Sequence, residues 1–476
     1  MSSPLRARPG FDRSIVEGPL GAAVWKIAWP TLLQNVVSGL QGMVDHVMVG
    51  HFVGYRGNAA IGVSWQIFLV VVVFVVSLSS GMGVLVARFA GRGDARAVNR
   101  VVYQGLLAGF GLFACVLAPA GLLAAPALLD LVRAEPGVQA EALPYLRIMF
   151  VMSIGMVLFF LVSGALRAAG DARTPLRLGV ALTALNLVLN LVLIPGLGPI
   201  PALGTAGAAL GTVGAAAIVS GVAVYELFRG KLPIQLSRST SWRPDAAVVR
   251  ELLRFGLPTG LQGIAMNVGG VILIRYVGSL EDSAEGQAAY AVGYTQLFSL
   301  VSWTSVALMA AAAAVVGQSL GARRPGRATR APLHAARIGL WVALPVSALF
   351  ALGGRTLLGW FGMEDPRVLA LGEQLLRYLA VSAPFLTTAL AFTGALQGTG
   401  DTRSPMYISI VSQLALPLGI CAALDAWRGL VAADIWTAIV IGHVARCGLS
   451  VARFRQGRWL SIRVGDPGAG SSDQKE

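Results

Sequence analysis

Twelve stretches of this 476-residue chain are built almost entirely of apolar side chains. Each is close to the length of about 20 residues that a bilayer-crossing helix needs. They fall at 24–50, 61–87, 101–125, 142–166, 176–195, 205–228, 250–278, 287–318, 333–354, 372–397, 405–424 and 431–452. Apolar and polar positions do not alternate along them, as they would on the strands of a membrane barrel. The pattern predicts an all-α polytopic membrane protein with twelve transmembrane helices.

The few polar residues inside these runs are themselves periodic. In the first run Gln34, Ser38, Gln41 and Asp45 fall at i, i+4, i+7 and i+11, which places all four on one helical face. Thr183, Asn186 and Asn190 repeat the device in the fifth run at i, i+3 and i+7. Thr205 and Thr212 lie seven apart in the sixth, among Gly207, Gly211 and Gly214, which permit close helix approach. Such faces cannot meet lipid without cost, so they are expected to look into the protein. For Gln34, Ser38 and the two threonines, helix-to-helix glue and a cavity lining are equally good readings. Asp45 stands apart, because a carboxylate inside a membrane span marks a functional site by default.

A repeat organises the whole chain. "GALRAAGDARTPLRLGV" at 164–180 returns as "GALQGTGDTRSPMYISI" at 394–410. Pro30 and Gln34 recur as Pro258 and Gln262, and Arg147 as Arg377. Thr174 with Pro175, and Ser404 with Pro405, read as the caps and first turns of equivalent helices. Two pseudo-symmetric six-helix lobes follow. The expected organisation is a cytoplasmic N-terminal tail over 1–23, an N-lobe over 24–228, a basic linker over 229–249, a C-lobe over 250–454 and a cytoplasmic C-terminal tail over 455–476. Transporters built from such repeats place their substrate sites where the repeats meet.

The repeat also shows an asymmetry. Asp45 maps to Leu273, Asn186 to Leu416 and Asn190 to Ile420. The ionisable chemistry is therefore concentrated in the first half. The second half offers Gln262 and Asn267 on its first helix, and Tyr290, Tyr294, Gln296, Ser299 and Trp303 on its second. Aromatic and amide groups without fixed charge suit bulky, partly apolar molecules, and equally suit an ordinary core. Gln34, Ser38, Gln41, Thr183, Gln262, Asn267, Tyr290, Tyr294, Gln296 and Trp303 are the substrate-cavity candidates.

Composition narrows the class. Hydrophobic residues make up 55% of the chain and charged ones 13%, against about 25% charged in soluble domains. The net charge of +14 raises the question of nucleic acid, but its distribution answers otherwise. Arg88, Arg92, Arg96 and Arg100, then Arg323, Arg324, Arg327 and Arg330, fall on alternate connections, and the basic linker adds Arg229, Lys231, Arg238, Arg243 and Arg250. The opposite connections carry only Arg56, Arg133, Arg355, Arg367 and Arg428. This is the positive-inside distribution, with both termini cytoplasmic, and it calls for no nucleic-acid partner. Cys115, Cys421 and Cys447 lie in apolar segments and imply no disulfide. His46, His51, His334 and His443 have no metal-ligand spacing, and the arginines noticed on helices, Arg147, Arg275 and Arg377, fall near outer helix ends. No Ser/His/Asp or Cys/His arrangement and no Gly-rich phosphate loop is present, so no enzyme is expected.

Together "VDHVMVG" (44–50), "SGALRAAGDARTP" (163–175), "NLVLNLVLIPG" (186–196), "GTAGAALGT" (204–212) and "GALQGTGDTRSPM" (394–406) resemble the multidrug and toxic compound extrusion (MATE) family of secondary transporters. The resemblance implies export of organic, often cationic compounds in exchange for H⁺ or Na⁺. It also implies an N-lobe ion site at Asp45, with Asn186 and Asn190 as the family's polar pair and Thr212 as a further member. A Na⁺ ion would take Asp45, Asn186 and Asn190 as ligands. Met266 and Leu386 stand where NorM-like members carry acids, which points to the DinF-like bacterial branch. The expected partners are small organic substrates and the lipid of a cell (inner) membrane, with no cofactor beyond the coupling ion and a functional monomer. The competing reading is a lipid-linked saccharide flippase of the wider superfamily, which would want a cationic cavity.

Overall fold

The computed structural model describes residues 10–236, 243–462 and 464–465; Arg238 of the basic linker lies outside them. Among the described residues there is no strand. The spanning helices of the first half are α1 (Leu20–Phe52), α2 (Tyr55–Arg92), α3 (Ala95–Leu131), α4 (Pro136–Met152 with Ile154–Ala168), α5 (Arg173–Leu193) and α6 (Gly204–Arg229). The second half supplies α7 (Ala246–Gly278), α8 (Ser283–Gly321), α9 (Pro325–Trp360), α10 (Pro366–Thr399), α11 (Arg403–Arg428) and α12 (Ala432–Arg455). Ten of these are long and apolar enough to cross a membrane, and α4 is an eleventh when its two pieces are taken as one span. The twelfth is α1, 33 residues long, whose apolar character is diluted by its polar stripe.

Most helices outrun the apolar runs that predicted them. α3 starts at Ala95, not 101, and α9 at Pro325, not 333. Beyond the hydrocarbon the helix continues amphipathically, and hydropathy no longer reports it. Arg88, Arg92, Arg96 and Arg100 consequently sit on the ends of α2 and α3, with the tight turn at Gly93 and Asp94 between them. Ahead of α1 a short helix, Ser14–Glu17, is held by Arg324, which donates to the Val16 carbonyl at 2.9 Å, and by Arg327, which donates to that of Ile15 at 2.7 Å.

Pro30 lies inside α1, which begins ten residues earlier, at Leu20. It removes one ladder donor from the interior of the helix. Thr174 is not the cap of α5. Asp171 does that work: its Oδ1 accepts from the backbone N–H of Arg173 at 3.1 Å and of Thr174 at 3.0 Å, and its Oδ2 accepts from the Thr174 hydroxyl at 2.6 Å. Asp401 does the same before α11, taking the Ser404 N–H at 3.1 Å and its hydroxyl at 2.8 Å.

The chain divides into two compact units. The first consists mainly of Leu33–Leu257, the second of Arg13–Leu32 and Pro258–Val464. The division falls two residues after Pro30 in α1 and directly before its repeat partner Pro258 in α7. Each unit packs around its own small-residue crossing. In the first, a Cβ on Gly164 of α4 would stand 2.1 Å from the Ser79 hydroxyl of α2; in the second, a Cβ on Gly394 of α10 would stand 2.0 Å from the Met309 carbonyl of α8. Ser79 and Met309 are 230 residues apart, as are the glycines, so the repeat keeps its crossing and not only its letters.

The units differ where helices break. α4 bends by 52° at Ser153. Beside the bend the Gly155 carbonyl accepts a hydrogen bond from the Ser220 hydroxyl of α6 at 2.6 Å, an insertion of the kind that kinks a helix. Its repeat counterpart α10 runs unbroken. Conversely α11 contains a π-helical turn at Ile410–Ala415, where α5 is regular. Only a regular α5 keeps Thr183, Asn186 and Asn190 on one face.

Candidate functional site

In the first unit α1 and α5 meet through their polar stripes. The Thr183 hydroxyl donates to Gln41 Oε1 at 2.9 Å, and Asn190 Nδ2 donates to Asp45 Oδ1 at 2.7 Å. One turn back on α5, the Asn186 amide is satisfied when its nitrogen faces the same carboxylate oxygen at 3.0 Å. Its own oxygen then accepts from the Thr212 hydroxyl of α6 at 3.2 Å. Asp45, Asn186, Asn190 and Thr212 therefore form one contiguous group. Asn186 and Asn190 are buried, while Asp45 is half-buried.

Local packing explains why the group assembles. Gly211 lies against Asn190, and a Cβ there would sit 2.0 Å from Asn190 Oδ1. The missing side chain lets α6 approach α5 and leaves room for the amide. Asn190 Oδ1 is a buried acceptor with no donor among the described residues. The carboxylate thus receives amide N–H groups, while an amide oxygen stays unused beside it.

The other stripe residues divide. Gln34 Oε1 accepts from Arg167 of α4 at 3.0 Å, about 16 Å along α1 from Asp45. Ser38 is exposed. Thr205 is separate from the Asp45 group: its hydroxyl reaches Glu141 Oε2 of α4 at 2.7 Å. His46 points away as its position on the helix predicts, and its Nδ1 bonds Asn58 Oδ1. Tyr145, one turn beyond Glu141 on α4, is buried. Neither Tyr145 nor Arg167 stands out in the sequence by spacing. A signal for Arg167 exists all the same, because the repeat turns it into Gln397.

The second unit replaces this site with hydrocarbon. Leu273, the counterpart of Asp45, belongs to an apolar core cluster, and Ile420, the counterpart of Asn190, packs against that cluster. Gln262 ties α7 to α11 by donating to the Ser409 hydroxyl at 2.8 Å, and Asn267 donates to its own helix at the Gly263 carbonyl. Gln296 is exposed and Trp303 half-buried, and a π-helical turn, Ala291–Leu297, runs through this part of α8. Tyr290 and Tyr294 do come together, stacked with ring centroids 5.0 Å apart. Trp436 stacks on Tyr290 from α12 at 6.2 Å.

One sequence reading fails here. Cations are not confined to connections and outer helix ends. Arg446 is buried within α12, and Arg88 is buried near the end of α2.

Comparison with known proteins agrees with this architecture. The MatE family model matches residues 30–192 and again 258–421. The two matches start 228 residues apart, the same shift that relates Pro30 to Pro258. A probable multidrug resistance protein NorM of Thermotoga maritima is 25% identical over 435 residues, covering 91% of this chain and 92% of that protein. Another protein of that name, from Deinococcus radiodurans, is 28% identical over 446 residues, covering 91% and 94%. Among solved structures, a crystal structure of MATE in the bent conformation superposes with a TM-score of 0.85 at 22% identity, covering 93% of this chain and 96% of its own. A MOP superfamily transporter from Pyrococcus furiosus gives the same TM-score of 0.85 at 21% identity, covering 93% and 97%. With two copies of the family model spanning both lobes, the chain belongs to the multidrug and toxic compound extrusion (MatE) family.

Proposed function

We propose that this protein is a secondary antiporter that exports organic compounds across a cell membrane, and that Asp45 is its ion-coupling residue. The relatives' names supply the substrate class. The Asn190–Asp45 hydrogen bond, whose counterpart in the second unit is apolar, carries the assignment of the site. Asn186, Asn190 and Thr212 hold the carboxylate in place.

The coupling ion that fits this arrangement best is the proton. Amide nitrogens face Oδ1, which leaves Oδ2 to take up H⁺ from outside and release it inside. Asp45 lies about 37 Å along α1 from Leu20, and hence in the outer half if the N-terminus is cytoplasmic, as the arginine distribution supports. Protonation removes the charge and weakens the hold of both asparagines. Na⁺ is the second reading, favoured by the unused Asn190 Oδ1; it requires the amides to turn their oxygens inward. The apolar Met266 and Leu386 support a DinF-like assignment, with coupling confined to the first lobe.

The test is substrate uptake into everted vesicles, wild type against Asp45→Asn, under an imposed proton gradient or an imposed sodium gradient. Wild type should respond to the proton gradient and Asp45→Asn to neither. Wild-type export driven by sodium alone selects the second reading. Normal export by Asp45→Asn under either gradient rejects Asp45 as the coupling residue.

A further inference from the structure

α12 carries a second polar line. Trp436, His443, Arg446 and Ser450 follow at i, i+7, i+10 and i+14, on one face. All are buried, at 0%, 2%, 5% and 0% exposure. Trp436 Nε1, His443 Nδ1, Arg446 Nε and Ser450 Oγ, with Ser382 Oγ of α10, have no hydrogen-bond partner among the described residues. Trp436 Nε1 and Arg446 Nε can only donate, and neither meets an acceptor among the described residues.

Arg446 also lacks a counter-charge. The acids on the second unit's spanning helices are Glu285, Glu373, Asp425 and Asp434, all near helix ends, and Asp401 lies in the connection before α11. Glu373 pairs with Arg377, Asp434 with Arg428 and Asp401 with Arg453. Among the described residues no carboxylate pairs with Arg446. A buried guanidinium without an anion is strongly unfavourable, and intramembrane arginines face a partner or a cavity. Arg446 lies about 14 Å along α12 from its nearer end at Arg455, and it is buried rather than turned out toward that end.

The rings beside it say what kind of anion fits. From Trp436 a ladder runs through Tyr290 and Tyr294 to Phe298, the last two 5.6 Å apart, and returns to His443 at 5.8 Å. Tyr294 is half-buried, and His443, which closes the ladder, lies three residues before Arg446 on α12. We propose that Arg446, with Trp436, His443 and the Tyr294 ring, forms an anion subsite inside the second unit that takes the carboxylate of an aromatic organic acid. The guanidinium fork grips both carboxylate oxygens, and the aromatic ring of the ligand packs against Tyr294. The substrate range then includes acids or zwitterions besides cations. Nothing in this subsite depends on Asp45 or on which ion is coupled.

The test is equilibrium calorimetry on the purified full chain, at fixed pH and without any gradient, so that failure of coupling cannot imitate failure of binding. The probes are 2-naphthoate and its neutral isostere 2-naphthamide. Wild type should bind the acid about tenfold more tightly than the amide. Arg446→Gln should erase that preference, Arg446→Lys should keep part of it, and Arg377→Gln, at an exposed helix end, should leave it intact. Equal binding of acid and amide by wild type overturns the proposal, even if Arg446→Gln does not fold. So does an Arg446→Gln protein that still prefers the acid.

Discussion

Asn190 Nδ2 donates to Asp45 Oδ1 at 2.7 Å across 145 residues of chain, while at the equivalent places in the second unit Leu273 lies in an apolar core and Ile420 packs on it. Two similar halves thus keep one scaffold and place a carboxylate at this position in only one of them. The shared scaffold is visible in Gly164 against Ser79 and Gly394 against Met309. What differs is what the helices carry inward.

The Asn190 amide depends on the space left at Gly211. Gly211→Ala places a Cβ 2.0 Å from Asn190 Oδ1. Overpacking of this kind costs about 1–3 kcal/mol. The expected result is a lower melting temperature together with reduced efflux, and Asn190→Ala in the same background should recover stability but not efflux. Melting curves and vesicle transport on the two variants check this.

Moving the acid to the other lobe should not work. Leu273→Asp in an Asp45→Asn background buries a carboxylate in an apolar core cluster, with no amide pair at the equivalent places to receive it. An uncompensated buried charge costs about 3–5 kcal/mol. Transport should stay absent and expression of the double variant should fall. Restored efflux would mean that the first unit is not specialised.

The repeated GD turns should differ in strength. Asp171 caps α5 and nothing more, whereas Asp401 also accepts from Arg453 at 3.0 Å while itself only 6% exposed. Asp171→Ala should cost about 1 kcal/mol, the usual value of a cap. Asp401→Ala should cost about 1.5–3 kcal/mol more, the worth of a charged hydrogen bond. Combining Asp401→Ala with Arg453→Gln should cost less than the sum of the two, as read from melting temperatures.

One ion pair in the basic linker gives a pH signature. Asp245 precedes α7 and bonds Arg100 of α3 and the backbone N–H of Val248 and Ala247. Desolvation pushes its carboxyl up, but the Arg100 contact and the two N–H groups together outweigh it and hold the carboxyl below the ordinary aspartate value. A depressed carboxylate contributes stability that is present above its unfolded value, about 3.9, and is lost as pH falls through the folded value. Asp245→Asn should therefore lower stability at neutral pH and flatten its decline below about pH 4. Melting temperature against pH for both proteins checks the sign.

The sequence alone made much of this legible, for physical reasons that can be named. The stripe from Gln34 to Asp45 and the face of Thr183, Asn186 and Asn190 follow helical spacing, and both helices are regular there, so spacing predicted contact. In α8 a π-helical turn upsets the same arithmetic, and Gln296 turns out exposed. Arg446 is silent in the sequence because one arginine in an apolar run is indistinguishable from a snorkelling one until its neighbours are known. The true cap at Asp171 is hidden by Thr174, a good cap residue three positions later.

The most direct measurement is the proton count on substrate binding. Purified protein in weakly buffered detergent solution, mixed with an exported cationic compound, should release close to one proton per transporter as the cation displaces it. Asp45→Asn, still folded by its melting curve, should bind with no release. Equal proton release from wild type and Asp45→Asn would show that the coupling group lies elsewhere.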